Sequence, residues 1–574
     1  MKFRKKHFTK SFVVAAYREV IGYLFFLILA AMLFMGAVST SYITASEKIL
    51  YLPDSVLKNF IIFAVVLLSC AILHPHFKSS RFLLRIEEDV RLFKKIKAGM
   101  LCVCTLIPSL YALCTQLTPG GDQIMVLNAA YGLTQKDFSA LSPVNYLYDY
   151  NHQVGLAFVE TLLNRLVGEQ NYTAYHLINS VVVALIYKNI SEIGALFGLR
   201  RVKQLILILL GILFLPLSLY VPFIYGTLPG LLFSLIAIKL ELIYFSSGKW
   251  WHGLVSSMSI CFAVLLKSNY LIFMIGMLIF AVVEVIRKQK FEKSLIIPFI
   301  IVLYVAQAII PLNIFSHMRG ADIPKGVSTW AWVTMGLQEG DNAGWYNGYT
   351  LDTLIGSEFD THRQEIWVKS DLKARIGEFL NDPDYAREFF VRKTASQWNE
   401  PSFQGIQISQ NKEIGSSCRI AEKILSSQGN HAVTGYLNYL NFVIVAGALL
   451  YLFLYSKSAF FHDSLILAMI IIGGFIFHLV WEAKGQYTLP YFVLLLPYTV
   501  IGYSEAANII SCSLLSENKT FAVSICQKRL VVRAAAFIVG ILIIWFIFHG
   551  ILVSITNDGE IYFRYLEQLV IETH

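Results

Sequence analysis

The feature that most constrains this chain is a succession of apolar runs, each long enough to cross a bilayer and separated by polar connections. Crossing the hydrocarbon as a helix takes about 20 apolar residues, because every backbone N–H and C=O must be paired where no water is available. Runs of this kind cover 20–44, 56–74, 98–118, 172–197, 204–222, 228–246, 252–267, 270–286, 294–315, 436–456, 463–481, 487–505 and 532–553, thirteen in all. An all-α polytopic membrane protein is the expected fold class. Composition agrees: 56% of the 574 residues are hydrophobic and 15% are charged, against about 25% charged in soluble domains. The basic start MKFRKKHFTK leads into a run of spanning length rather than into a short apolar core with a small-residue cleavage site, so no N-terminal segment is expected to be removed.

Lysine and arginine then orient the spans. Residues 1–19 hold six and 74–97 hold seven, and RRVK at 200–203, RKQKFEK at 287–293 and QKRLVVR at 527–533 add more. All fall on one side if the N-terminus is cytoplasmic, which predicts a multi-pass plasma-membrane protein. The formal charge of +9 is thereby accounted for by short inner loops, and nucleic acid is not implied as a partner. The pair of runs flanking Lys267-Ser268-Asn269 is the pivot of this topology, since losing one would invert everything after it. Of the eight cysteines, Cys70, Cys102, Cys104, Cys114 and Cys261 lie in apolar runs and Cys512 and Cys526 in an inner loop. Cys418 alone is expected outside, without an intramolecular disulfide partner, and no Cys/His spacing suggests zinc.

Four regions follow: a two-span N-terminal addition with a basic loop (1–97), core spans (98–315), an outer helical region (316–435), and C-terminal spans with a tail (436–574). Two outer excursions, 119–171 and 316–435, are too long to be mere connections. In the first, apolar residues at 154, 156, 158, 159, 162, 163, 166 and 167 form one helical face, expected to lie flat on the membrane or against other spans. In the second, 361–380 and 384–400 both suggest helices, and Pro383 can start the latter. No internal repeat is evident, so a repeat-built transporter gains no support.

The string LTPGGDQIMVLNAAYGL at 117–133 places Asp122 where the third run surfaces. An aspartate there is a good helix cap. It also sits beside NYLYDYNHQVGL at 145–156, whose Asp149, His152 and Gln153 bring hydrogen-bonding groups and whose tyrosines bring flat amphipathic faces. Two further polar breaks hold basic residues, Lys267 in LLKSNYL and Lys484 in WEAKG, the latter beside Glu482 and followed by Tyr487. His317 and Arg319 in FSHMRG are other outer cations. Each basic residue alone is read more simply as snorkelling at a helix end. Trp330, Trp332, Trp345, Tyr346 and Tyr349 enrich the second outer region, where interfacial packing is the default and sugar stacking the alternative. No tight cluster of carboxylates and histidines appears, so no metal site is expected, although the scattered outer acids leave a divalent ion open.

From about 105 to 505 the arrangement resembles the GT-C superfamily of integral-membrane glycosyltransferases, particularly its Gram-positive cell-envelope members. GGDQ and the two helical stretches after it match the superfamily's first outer loop, WEAKGQYTLPYFVLLLPYTVIG at 481–502 is similar to its Trp-Glu-x-Lys segment, and GWYNGY at 344–349 is a third match. The chain departs from the pattern in having Gln123 where a second acid often stands, and in placing two spans before the first outer loop. The resemblance implies an inverting glycosyltransferase with an undecaprenyl-phosphate sugar as donor, a cell-envelope glycopolymer as acceptor, membrane lipids around it and no further cofactor. It makes Asp122 the general base, with Asp149 second in line. Lys267, Lys484, His317 and Arg319 become candidates for the donor phosphate, with Glu482 orienting Lys484, and His152, Gln153 and Tyr487 candidates for substrate binding. The rival readings are a polysaccharide polymerase or ligase acting on diphosphate-linked glycans, a flippase or transporter of lipid-linked sugars, and an inactive scaffold.

Overall fold

The computed structural model describes residues 2–323, 325–410, 412, 414–415, 418–455, 461–515, 538–556, 558–559 and 563. The basic string at 527–533 and Cys526 lie outside the described residues. Among the described residues, eleven helices are long and apolar enough to cross a membrane. Four of them, Tyr172–Leu196, Thr227–Ser247, Ser427–Leu454 and Leu489–Cys512, are 67% to 72% buried over their most apolar stretch and form the centre of the bundle. Val56–Ser79, Phe291–Arg319, Val90–Thr115 and Ile538–Thr556 are only 11% to 22% buried and ring it, presenting leucine, isoleucine and valine outward. That inversion of the soluble-protein pattern is what a lipid surround demands.

Two expected runs do not form a helix of spanning length. The run at 252–267 is the 17-residue helix Trp250–Leu266. The run at 204–222 divides into the helix Arg201–Leu213 and the turn Pro216–Leu219, because Pro216 offers no N–H to continue the first helix. The irregular backbone that results is buried, and side chains satisfy it: Tyr187 donates to the Phe214 carbonyl (3.2 Å), Asn179 to Val221 (3.0 Å) and Lys412 to Pro222 (2.8 Å). Non-helical backbone survives at such depth only with partners of this kind.

The first span also ends early, at Val38, since Ser39–Ile43 pairs antiparallel with Ile49–Pro53. This hairpin docks on the helical region 316–435: the Ser41 hydroxyl donates to the Ala395 carbonyl (2.8 Å) and the Ile49 N–H to Asn342 Oδ1 (2.9 Å). The expected helix forms at Val154–Val167 and packs against neighbouring helices, with Leu162 and Leu166 exposed while its polar Glu160, Thr161 and Asn164 are buried. Most of the predicted apolar face packs inward, with Val154 and Leu156 in an apolar cluster, and of the buried polar groups Asn164 accepts from the Tyr175 hydroxyl (2.8 Å) whereas one Glu160 carboxylate oxygen has no partner among the described residues. In the second long excursion Thr361–Asn381 and Pro383–Trp398 are helices, and the Asp382 carboxylate caps the latter by accepting from the Tyr385 N–H.

The two ends of the bundle differ chemically. One end is tied by ion pairs, Glu192 with Lys239 (2.9 Å), Lys188 (3.2 Å) and Lys97 (3.4 Å), and Glu284 with Arg287 (2.5 Å) and Lys288 (2.9 Å), with a hydrogen bond between Glu284 and His462 Nε2 (2.7 Å). The other end opens into a cavity.

Candidate functional site

The cavity measures about 680 Å³ and lies where the hairpin, both long excursions and the polar breaks between spans converge. Asp122, His152, Gln153, Lys267, Glu482, Lys484 and Tyr487 all line it. These residues, from four separate parts of the sequence, therefore share one site.

Asp122 does not cap its helix. Gly121 occupies the cap position with φ +56° and ψ −137° and makes no side-chain cap, and Asp122 is the first residue of Asp122–Thr134. The positive φ is one that glycine adopts without strain, so the Gly120–Gly121 pair lets the chain turn sharply at the end of the third span. The Asp122 carboxylate is left exposed to the cavity, in the favourable field of a helix N-terminus and facing Tyr146. Tyr146 and Tyr225 share a hydrogen bond (3.0 Å), and Gln153 donates to the Tyr225 hydroxyl (2.7 Å).

Lys267 ends the short helix Trp250–Leu266. Its ammonium is buried without a hydrogen-bond partner, flanked by the rings of Tyr225 (4.3 Å), Phe223 (5.6 Å) and Tyr487 (5.9 Å). The close fit depends on Gly226, where a Cβ would collide with the Leu266 carbonyl. Burial pushes the ammonium down to about 7; the negative charges of Asp122 and Glu482 oppose this and Lys484 adds to it. Lys484 lies 3.6 Å from Glu482, and the Tyr487 hydroxyl donates to the other Glu482 oxygen (2.7 Å). Burial works against the Lys484 charge, but Glu482, with Glu47 and Asp122, outweighs it and holds this ammonium above its ordinary range. The paired ammonium of Lys484 and the unpaired one of Lys267 thus share the site with the exposed Asp122 carboxylate.

Three sequence candidates lie elsewhere. Asp149 is buried behind the wall with Oδ1 unpartnered, its carbonyl accepts from the Val327 N–H (2.8 Å), and burial pushes its carboxyl up to about 6. His317 is exposed, and Arg319 reaches only the Asp322 carbonyl and the Ser142 hydroxyl, both at 3.4 Å. None of the three lines the cavity. A helix end at the same level of the bundle does not suffice, because side-chain direction around the helix decides what is reached.

Other contributors carry no local signal. Glu47, at the turn of the hairpin, lines the cavity and accepts from Gln407 (3.3 Å). Lys412 donates to Gln123 Oε1 (3.1 Å) and to the Pro222 carbonyl, fixing the neighbour of Asp122. Burial pushes the Lys412 ammonium down to about 7. The aromatic wall was legible in kind but not in membership. Trp332 stacks on Trp481 (6.1 Å, 15°), and the Tyr150 and Tyr346 hydroxyls meet at 3.2 Å. Trp345 is instead buried and donates to Ser396 (3.0 Å), Tyr349 donates to Asp371 (2.6 Å), and Trp330 lies under Lys369 (5.1 Å). Among the described residues, no group of three or more His, Cys, Asp or Glu is placed to hold a metal ion.

Chemically, the arrangement offers a base at the mouth of a helix, cations for an anionic group, and flat aromatic faces for a ring-bearing ligand. Compared with known proteins, the chain matches no family model and no curated protein.

Proposed function

We propose that this chain is an inverting membrane glycosyltransferase of GT-C type, moving a sugar from an undecaprenyl-phosphate carrier to a cell-envelope glycopolymer on the outer face of the plasma membrane. The observation that supports this reading most is the convergence of Asp122, Lys267 and Lys484 on one cavity at the ends of the spans. In the reaction, Asp122 takes the proton of the acceptor hydroxyl as that oxygen attacks the anomeric carbon, on the face opposite the phosphate. The bond from the anomeric carbon to the phosphate oxygen breaks, and the carrier leaves with a second negative charge. Lys267 and Lys484 meet that charge, with Glu482 and Tyr487 holding Lys484 in place. Electrostatic help of this kind acts where charge develops and water is excluded. The donor's hydrocarbon chain leaves past Leu271, Ile272 and Ile275 on the cavity rim, and the acceptor rests on the wall formed by Trp332, His152 and Gln153.

The test is a transfer assay with purified protein, a synthetic polyprenyl-phosphate sugar and an envelope-glycan acceptor. Glycosylated acceptor and free polyprenyl phosphate are expected in equal amounts, and a diphosphate-linked donor should be the poorer substrate. Preference for the diphosphate would move the protein to the polymerase reading. The transporter reading draws on Glu241, which is fully buried within the span Thr227–Ser247 with neither carboxylate oxygen hydrogen-bonded. Reconstituted vesicles separate the two: intact lipid-linked sugar crossing the bilayer without cleavage would replace the transferase reading.

A further inference from the structure

We propose that Cys114 and Cys418 are an oxidisable pair whose disulfide clasps the end of the helix Val90–Thr115 to the segment carrying Lys412. From sequence Cys418 has no thiol partner outside; the structure corrects this, because Cys114 stands in the last turn of its helix and its sulfur is within hydrogen-bonding reach of Cys418. The surrounding backbone fixes that meeting. Leu117 and Ile414 form an antiparallel bridge, the Gly415 N–H donates to the Thr115 (3.2 Å) and Gln116 (3.3 Å) carbonyls, and the Tyr111 hydroxyl donates to Ser409 (3.4 Å). Leu117 also packs with Ile406 and Leu425. Contacts on both sides of the cysteines thus hold the two chains in register.

The chemistry has a direction. Cys418 precedes the helix Arg419–Leu425, and hydrogen bonds from the Ala421 N–H, the Cys114 thiol and the Ile420 N–H hold its thiol below the ordinary cysteine range, which favours the nucleophilic thiolate. Both thiols are partly exposed, within reach of a small or protein-borne disulfide. The Cys418 thiolate attacks one sulfur of that external disulfide and releases one thiol from it. Cys114 then gives up its proton, attacks the Cys418 sulfur of the mixed disulfide and releases the second thiol. Two cysteine thiols become one disulfide while the external disulfide is reduced to two thiols. An oxidising outer face would favour the closed form. The consequence reaches the cavity, because the clasped segment carries the lysine that holds Gln123, and it is independent of which ligand fills the site.

The test incubates the purified full-length protein with glutathione disulfide, alkylates the remaining thiols and analyses the digest by mass spectrometry. The expected result is a peptide pair linked through Cys114 and Cys418, a one-to-one loss of alkylation at these positions, and recovery of both on reduction. Cys114→Ser should stop at a glutathione adduct on Cys418, and Cys418→Ser should leave Cys114 alkylatable. A glutathione adduct on Cys418 of the unaltered protein without the linked peptide would overturn the proposal. So would two thiols that stay alkylatable at oxidant levels that modify the exposed Cys512.

Discussion

Because the Lys267 ammonium sits near 7 in the cavity, the affinity for an anionic donor is expected to fall as pH rises through that value. The donor phosphodiester carries one negative charge throughout this range, so the change belongs to the protein. Only the charged ammonium binds the phosphate well. With a value of about 7, roughly half of the molecules carry the charge at pH 7 and about one in a hundred at pH 9. The apparent Kd should therefore rise about fifty-fold over those two units, some 2.3 kcal/mol, and level off below about pH 6. Lys267→Met should weaken binding at pH 6 by about 2–5 kcal/mol and flatten the profile, whereas Lys267→Arg, charged at every pH, should carry the low-pH affinity through pH 9. Asp122 and Glu482 support the Lys267 charge, so Asp122→Asn should move the midpoint lower. Equilibrium binding of a polyprenyl-phosphate sugar to purified protein without acceptor measures all four. Lys412 titrates in the same range but is held by Gln123 and Pro222, so the informative quantity is the difference in slope between the parent and Lys267→Met. A parent profile that changes less than about threefold, or a Met variant with an unchanged slope, refutes the reasoning.

Asp122→Asn should lower transfer by about 10² to 10⁴ at normal protein level, since the cap position belongs to Gly121 and the helix start loses only about 0.3–1 kcal/mol of dipole interaction with the carboxylate; retention of more than about a tenth of the parent rate would remove Asp122 as the base. Asp149→Asn, behind the cavity wall, should leave transfer within about threefold of the parent in the same assay, inside the range of a change that removes no catalytic contact. Trp332→Ala should raise the KM for acceptor and leave donor binding unchanged; an effect on donor binding alone would assign the stacked tryptophans to the lipid-linked sugar instead. Ser370, exposed on the helix Thr361–Asn381, suits a topology test: a cysteine placed there in a background without native thiols should react with an impermeant maleimide in intact cells, and labelling only after lysis would invert the assigned sidedness.

Much of the bundle was legible because a membrane leaves few choices: apolar runs become helices, and lysine and arginine mark the loops between them. The three polar breaks at Asp122, Lys267 and Lys484 stand out for the same reason, as polar groups where the pattern allows few. What the sequence hides is tertiary. Glu47 sits in what reads as a simple connection, and Lys412 in an ordinary polar stretch; both reach the cavity only because distant segments fold beside them. His317 and Arg319 share the level of the site but point away from it, which spacing along one helix does not disclose. Proline was the readable warning at 204–222, where hydropathy outweighed Pro216 in the expectation of a continuous span.

The hairpin Ser39–Pro53 has a consequence for biogenesis. Its strands leave the ribosome early, yet the Asn342 side chain that receives the Ile49 N–H is encoded 293 residues later. At about 5–20 residues per second, the hairpin waits roughly 15–60 s for its dock. During that interval Ile43 and Ile49, buried in the finished protein, stand uncovered beside an unpaired strand edge. Closure of the cavity is thus a late event in synthesis, completed only when Glu482, Lys484 and Tyr487, encoded after the region the hairpin docks on, join the lining.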